Sequence, residues 1–163
     1  MSLIILDIDN CIADDAWRIP RIDWKQTDPN KRYHDYHLLA PFDRDRNHTL
    51  FTAVQALVLT SRPLAYRAAT EEWLYRAGVT VKHLLMRNNS DSRSSVDVKR
   101  AQVLWLTSLY DIALSDIEAA YDDRPDIIAM YTQMGVPNAQ VVAIHNVSAY
   151  QEEDHGQGQK ATA

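Results

Sequence analysis

Leu3-Ile4-Ile5-Leu6-Asp7-Ile8-Asp9-Asn10-Cys11 is an apolar run that ends in two carboxylates two residues apart. Its long and β-branched residues, with no polar residue between them, read as a fully buried strand of a parallel sheet. On an extended chain residues two apart project to the same side, so Asp7 and Asp9 meet at the carboxyl end of this strand. Two negative charges in a tight space are costly unless a cation or hydrogen-bond donors offset them. The pair therefore predicts a metal ion or a shifted pKa. Alone, Asp-x-Asp fits a solvated Asp-rich turn equally well, and the rest of the chain decides between the two.

Apolar runs alternate with segments of helical spacing along that chain. A helix over 49–55 leads into a second buried strand over 56–60, which ends in the hydroxyls of Thr60 and Ser61 and then Arg62-Pro63. A helix spans 64–77, with Gly78 placed as its C-cap. Strands follow over 79–85, 117–121 and 141–144, and helices over 96–109 and from Pro125 onward. This alternation predicts an α/β domain built on a doubly wound, parallel, five-stranded sheet. In such sheets the carboxyl ends of the strands line one crevice, where ligands bind. Asp7, Asp9, Thr60, Asp122 and Asp123 all fall at such ends, so one edge gathers residues far apart in sequence.

Residues 13–47 break the alternation. They hold Pro20, Pro29 and Pro41 and set Trp17, Trp24, Tyr33 and Tyr36 among Arg18, Arg21, Lys25, Lys31, Arg32, Arg44 and Arg46. Proline prevents a long helix here, and a connection this long inside a compact domain is usually functional. It reads as a small cap inserted after the first strand, with Trp17, Trp24, Tyr33 and Tyr36 offered for base stacking beside several Arg and Lys, although such aromatics serve equally as the insert's own core. The domain is expected over residues 1–150 and a polar, disordered tail over 151–163.

The 163 residues, 46% of them hydrophobic, suffice for one core, and the net charge of −5 argues against a broad grip on a nucleic-acid backbone. Cys11 is the single cysteine, which fits a reducing, cytoplasmic setting. The apolar run meets Asp7 too soon, and without a basic leader, to be a signal peptide, and no stretch predicts a membrane span.

Four carboxylates, a hydroxyl and a lysine at one edge suit phosphoryl transfer. Carboxylate oxygens hold a hard cation such as Mg²⁺. Asp7 would attack phosphorus, Asp9 would protonate the leaving oxygen and later take a proton from water, Thr60 would donate to a phosphoryl oxygen, and Lys99 would add fixed positive charge. Taken singly, Thr60 and Lys99 are ordinary solvated residues, Asp126 suits a helix N-terminus, and Arg62 could equally tie down its own loop.

Together, Asp7-Ile8-Asp9-Asn10-Cys11, Leu57-Val58-Leu59-Thr60, Lys99 and Asp122-Asp123-x-x-Asp126 resemble the four ordered motifs of haloacid dehalogenase superfamily phosphatases. Thr60-Ser61-Arg62 and Tyr121-Asp122-Asp123-Arg124 are most similar to the 3′-phosphatase domain of polynucleotide kinases. The resemblance implies the Rossmann-like fold of that superfamily, Asp7 as nucleophile, Asp9 as acid/base, Thr60 and Lys99 as catalytic partners, and Ser61 and Arg62 near the phosphate. It further implies Mg²⁺ held by Asp7, Asp123 with Asp122 beside it, and the backbone carbonyl of Asp9. Asn10 and Cys11 stand where the family more often has Gly and Thr or Val. The expected function is a Mg²⁺-dependent phosphatase acting on nucleoside or deoxynucleoside monophosphates through an aspartyl-phosphate. A 3′-phosphatase on DNA or RNA ends is the alternative within the class, and a catalytically silent nucleotide- or protein-binding module is the alternative outside it.

Overall fold

The computed structural model describes residues 1–146, so the expected tail lies outside the described residues. The opening run forms β1 (Ser2–Leu6), and its period of two sorts side chains into two separate cores. Ile4 and Leu6 face one, Leu3 and Ile5 the other. In chain order follow β2 (Ala13–Asp14), the short helices α1 (Pro29–Arg32) and α2 (His34–Leu38), β3 (Arg44–Asp45), β4 (Val54–Pro63), α3 (Arg67–Arg76), β5 (Val81–Arg87), α4 (Ser95–Ser108), β6 (Ile117–Asp122), α5 (Pro125–Gln133) and β7 (Ala139–Val141). The main sheet is parallel throughout, in the order β5-β4-β1-β6-β7.

β4 obeys the same alternation as β1. Ala56 and Val58 join Trp73 and Leu74 of α3 on one face of the sheet, while Leu57 and Leu59 join Val103 and Leu106 of α4 and Met130 and Tyr131 of α5 on the other. Both faces are thus covered, as a parallel sheet requires. The chain leaves β1 for β4 on one side and later returns through β6 on its other side. That reversal opens a crevice at the carboxyl end of β1, where Asp7 stands.

Three expected boundaries change. Residues 49–55 are not helical: a 3₁₀ turn covers His48–Leu50, Ala53 takes φ +60°, and β4 begins at Val54, because pairing with β1 starts at Ser2 opposite Val54. The third strand shifts two residues to Val81–Arg87, after Gly78 takes φ +78° at the end of α3. The fifth shifts earlier, to Ala139–Val141, where it pairs with Ala120, Tyr121 and Asp122. The insert over 13–47 consists of 3₁₀ turns and the short α1 and α2, closed at its base by the antiparallel pair β2–β3. Among the described residues no helix is long and apolar enough to cross a membrane.

Leu57 is fully buried between β1 and β5, whereas Leu109 is 73% exposed. Leu57→Ala should therefore cost roughly 2–5 kcal/mol in urea unfolding, against less than about 0.5 kcal/mol for Leu109→Ala. Equal losses would contradict this division of core and surface.

Candidate active site

β1 ends where Asp7 donates its backbone N–H to Tyr121 O (3.0 Å), extending the ladder to β6 by one residue. The chain then winds tightly. Cys11, Ile12 and Ala13 all donate backbone N–H groups to Ile8 O (3.2, 3.0 and 2.9 Å), which sends Ile8 and Ile12 into the core. Asn10 makes the turn possible by adopting φ +57°, a left-handed conformation that Asn tolerates better than most residues.

The turn brings Asp7 against two carboxylates from the end of β6. Oxygens of Asp7, Asp122 and Asp123 lie within 4.8 Å of one another, and all three residues are buried. Lys99, in the second turn of α4 behind the Ser94 N-cap, donates from Nζ to Asp7 Oδ1 and to Asp122 Oδ2, each at 2.6 Å. Burial favours the neutral amine, but the Asp122 and Asp7 charges outweigh it and hold the Lys99 pKa well above its usual value. One lysine does not balance three acids. Burial, reinforced by Asp122, pushes Asp7 up to about 7 against the opposing pull of Lys99. Burial with repulsion from Asp7 and Asp122 pushes Asp123 up to about 8. An all-oxygen donor set carrying this much unbalanced charge fits a hard divalent cation.

Asp9 does not join that group. Its carboxylate receives Arg62 Nη2 at 2.6 Å and Arg62 Nε at 3.0 Å, together with a short contact from Arg18 Nη2. Although burial opposes ionisation, Arg62 and Arg18 together hold the Asp9 carboxyl far below the usual carboxylate range. Arg18 is itself fixed by Asp43, through Nε–Oδ1 (2.8 Å) and Nη2–Oδ2 (2.7 Å), and its guanidinium lies 3.9 Å over the Tyr36 ring. Arg18 and Asp43 come from opposite ends of the insert. Nothing in their sequence context distinguishes Arg18 from the other basic residues of the insert, and Asp43 escapes sequence reasoning altogether.

Thr60 is buried at the end of β4, where its Oγ1 accepts the Arg62 backbone N–H (3.2 Å), leaving the hydroxyl proton for another acceptor. β4 and β5 fall out of register between Leu59 and Pro63, and Gln102 of α4 fills the gap by donating from Nε2 to Thr60 O (3.0 Å) and Leu85 O (3.2 Å). Ser61 accepts Arg87 Nε on its carbonyl (3.1 Å). Asp126 is engaged by Arg124 (2.7 Å) and by its own helix terminus, away from the three-carboxylate group.

A cavity of about 530 Å³ opens over these groups and is lined by Asp7, Asp9, Thr60, Ser61, Arg62, Lys99 and Asp123. Trp17 and Trp24 do not line it, contrary to the stacking role expected of them. Trp17 is spent on Asp43, donating Nε1 to Oδ1 at 2.9 Å, and Trp24 packs edge-on against Tyr33. Of the four aromatics offered for stacking, Tyr33 and Tyr36 do line it, beside His34 and His37.

Asn10 proves more than a turn residue. Its Nδ2 donates to Asp123 Oδ2 (3.0 Å) and to His145 O (3.0 Å), and its Oδ1 accepts the backbone N–H groups of Ile144 (3.1 Å) and His145 (2.8 Å). The loop after β1, the acid after β6 and the segment beyond β7 thus meet on one side chain.

A sequence model described as the polynucleotide kinase PNKP phosphatase domain matches residues 1–144. Among solved structures, a chain of the Pnkp1/Rnl/Hen1 RNA repair complex is 21% identical with a TM-score of 0.60, over 86% of this chain and 42% of that one. A second structure of the Pnkp1/Rnl/Hen1 complex gives 19% and 0.61, over 86% and 45%. A Clostridium difficile protein assigned as a phosphatase gives 12% and 0.62, over 94% and 90%. The chain thus spans less than half the length of the repair-complex chains that it resembles. No curated protein matches.

Asn10→Gly preserves the left-handed turn but removes the amide from Asp123. It should weaken divalent-cation affinity about 10- to 100-fold, as measured by Mn²⁺ titration with electron paramagnetic resonance. Unchanged affinity with a lowered Tm would assign Asn10 to folding alone.

Proposed function

The chain belongs to the polynucleotide kinase PNKP phosphatase domain family of the haloacid dehalogenase superfamily, and on that premise we propose that it hydrolyses a terminal 3′-phosphomonoester of a nucleic acid through an aspartyl-phosphate on Asp7. The observation that carries the proposal is the Asp7–Lys99–Asp122–Asp123 group at the carboxyl edge of the sheet, of which Asp7, Lys99 and Asp123 line the cavity.

An Asp7 carboxylate oxygen attacks phosphorus, and the bond to the ester oxygen breaks. Thr60 Oγ1 donates a hydrogen bond to a phosphoryl oxygen, and the Lys99 ammonium stabilises the Asp7 carboxylate that departs again in the second half of the cycle. Mg²⁺, held by Asp7 and Asp123 with Asp122 beside them, would neutralise phosphate charge that otherwise repels the nucleophile. Asp9 protonates the leaving oxygen and then takes a proton from the water that attacks the phosphorylated Asp7. Arg62 and Arg18 favour the Asp9 anion, which suits the second half of this cycle. The first half requires the substrate phosphate to compete for Arg62, loosening its hold so that Asp9 can carry a proton.

A free mononucleotide is the second reading, favoured by the net charge of −5, which repels a long polyanion. Salt separates the two. Contact with several phosphates gives a steep fall of affinity with ionic strength, and a single phosphate a shallow one.

Asp7→Asn should abolish release of phosphate from 3′-phosphorylated oligonucleotides and mononucleotides while the far-UV circular dichroism stays unchanged; turnover near the wild-type rate would remove Asp7 as nucleophile. Asp9→Asn should slow nucleotide hydrolysis by roughly 10²–10⁴-fold and p-nitrophenyl phosphate hydrolysis much less, because only the nucleotide alkoxide needs a proton to leave. Equal losses on both substrates would assign Asp9 to geometry instead.

A further inference from the structure

The cavity is larger than a phosphate needs, and its far wall comes from a different part of the chain. Tyr33 and His37, at the start and within α2, continue into Tyr66, in the 3₁₀ turn Leu64–Tyr66 that follows β4. The rings form one row, with centroids 6.1 Å apart from Tyr33 to His37 and 5.2 Å from His37 to Tyr66, tilted by 41° and 38°. His34 Nδ1 lies 2.9 Å from Tyr66 Oη, which ties the insert to the loop after β4. A second tie runs from Asn30 Nδ2 to Asn89 O (3.1 Å), and Asn89 Oδ1 in turn accepts the Ala65 backbone N–H (2.8 Å).

Burial, helped by the Arg62 and Arg18 charges, pushes the His37 pKa down to about 3, so at neutral pH its ring is uncharged and can stack without repelling a flat neutral partner.

We propose that the Tyr33–His37–Tyr66 row is a nucleobase subsite: the base of the nucleotide that bears the scissile phosphate lies against these rings. The volume of about 530 Å³ falls within the roughly 300–1,000 Å³ that holds a small ligand, so it accommodates a nucleotide beyond its phosphate. Stacking is tolerant of base identity because every base has a π-face, so the subsite selects for a base without selecting which one. This inference rests on the phosphatase function proposed above and adds to it the group that distinguishes a nucleotide from any other phosphate ester.

The test compares a 3′-phosphorylated single strand with the same strand abasic at its last nucleotide, and a nucleoside 3′-monophosphate with the corresponding baseless ribose phosphate. Loss of the terminal base should lower kcat/KM by about 5- to 150-fold in either pair, mainly through KM. The two pairs also show whether the base is read on a polymer end or on a free nucleotide. In Tyr66→Ala the ratio between intact and abasic substrates should fall towards one, whatever the variant's absolute rate; if that variant does not fold, the wild-type ratio still decides. Intact and abasic substrates cleaved equally well by the wild type would overturn the subsite and leave the phosphatase function standing. Release of phosphate from p-nitrophenyl phosphate but from no nucleotide would overturn the nucleotide function, and the subsite with it.

Discussion

Three buried carboxylates cannot share the edge of one sheet without positive charge, and Lys99 supplies the part of it that the polypeptide contributes. Its ammonium bridges Asp7, directly after β1, and Asp122 of β6, so that α4 and the ends of β1 and β6 are joined by charge where the order of the strands reverses. Removing one member of such a buried pair leaves an uncompensated charge and typically costs about 3–5 kcal/mol. Burial, with mutual repulsion among the acids, raises the pKa values of Asp7 and Asp123, and the three carboxylates form a group that could hold a divalent cation.

Asp9, two residues on, is paired with arginines instead, although its charge still reaches Asp7. Arg62 comes from β4, and Arg18 and Asp43 from the insert, so the two arginines and two acids bind the insert to the loop that follows β1. Trp73 of α3 joins in, donating Nε1 to Asp43 O at 3.0 Å. The insert has few buried apolar residues of its own, chiefly Ile22, Tyr36 and Ala40. Its position over the cavity therefore depends on these polar contacts more than on apolar packing, and whatever disturbs the pairing of Asp9 also disturbs the cavity's roof. Asp15 adds a second link of the same kind, accepting Tyr36 Oη at 2.5 Å and lying 2.6 Å from His145 Nε2.

The parallel sheet was legible because β1 and β4 carry uninterrupted apolar runs whose ends coincide with acids and hydroxyls. The grouping of Asp7, Asp122, Asp123 and Lys99 followed from that topology and the ordered motifs. Strand boundaries were not legible where pairing overrides local pattern: Val54 and Gln55 resemble the end of a helix, yet they continue β4 because β1 offers them partners. Arg18 and Asp43 were hidden because a basic residue and an acid 25 positions apart in an irregular segment leave no periodic trace. The same limit explains the tryptophans. Trp17 and Trp24 are the largest aromatics of the insert, but the path of a proline-broken chain turned them outward and turned Tyr33 and His37 inward.

Passage of a phosphoryl group through Asp7 is the central step of the proposed reaction. Rapid acid quench of the wild-type enzyme with radiolabelled substrate, followed by borohydride reduction and peptide mapping, reports it directly, because reduction of an aspartyl-phosphate converts that residue to homoserine. The label should appear on the protein before free phosphate accumulates, and homoserine should appear at position 7 alone. Release of phosphate in the first turnover with no labelled protein, or with the label on another residue, would contradict it.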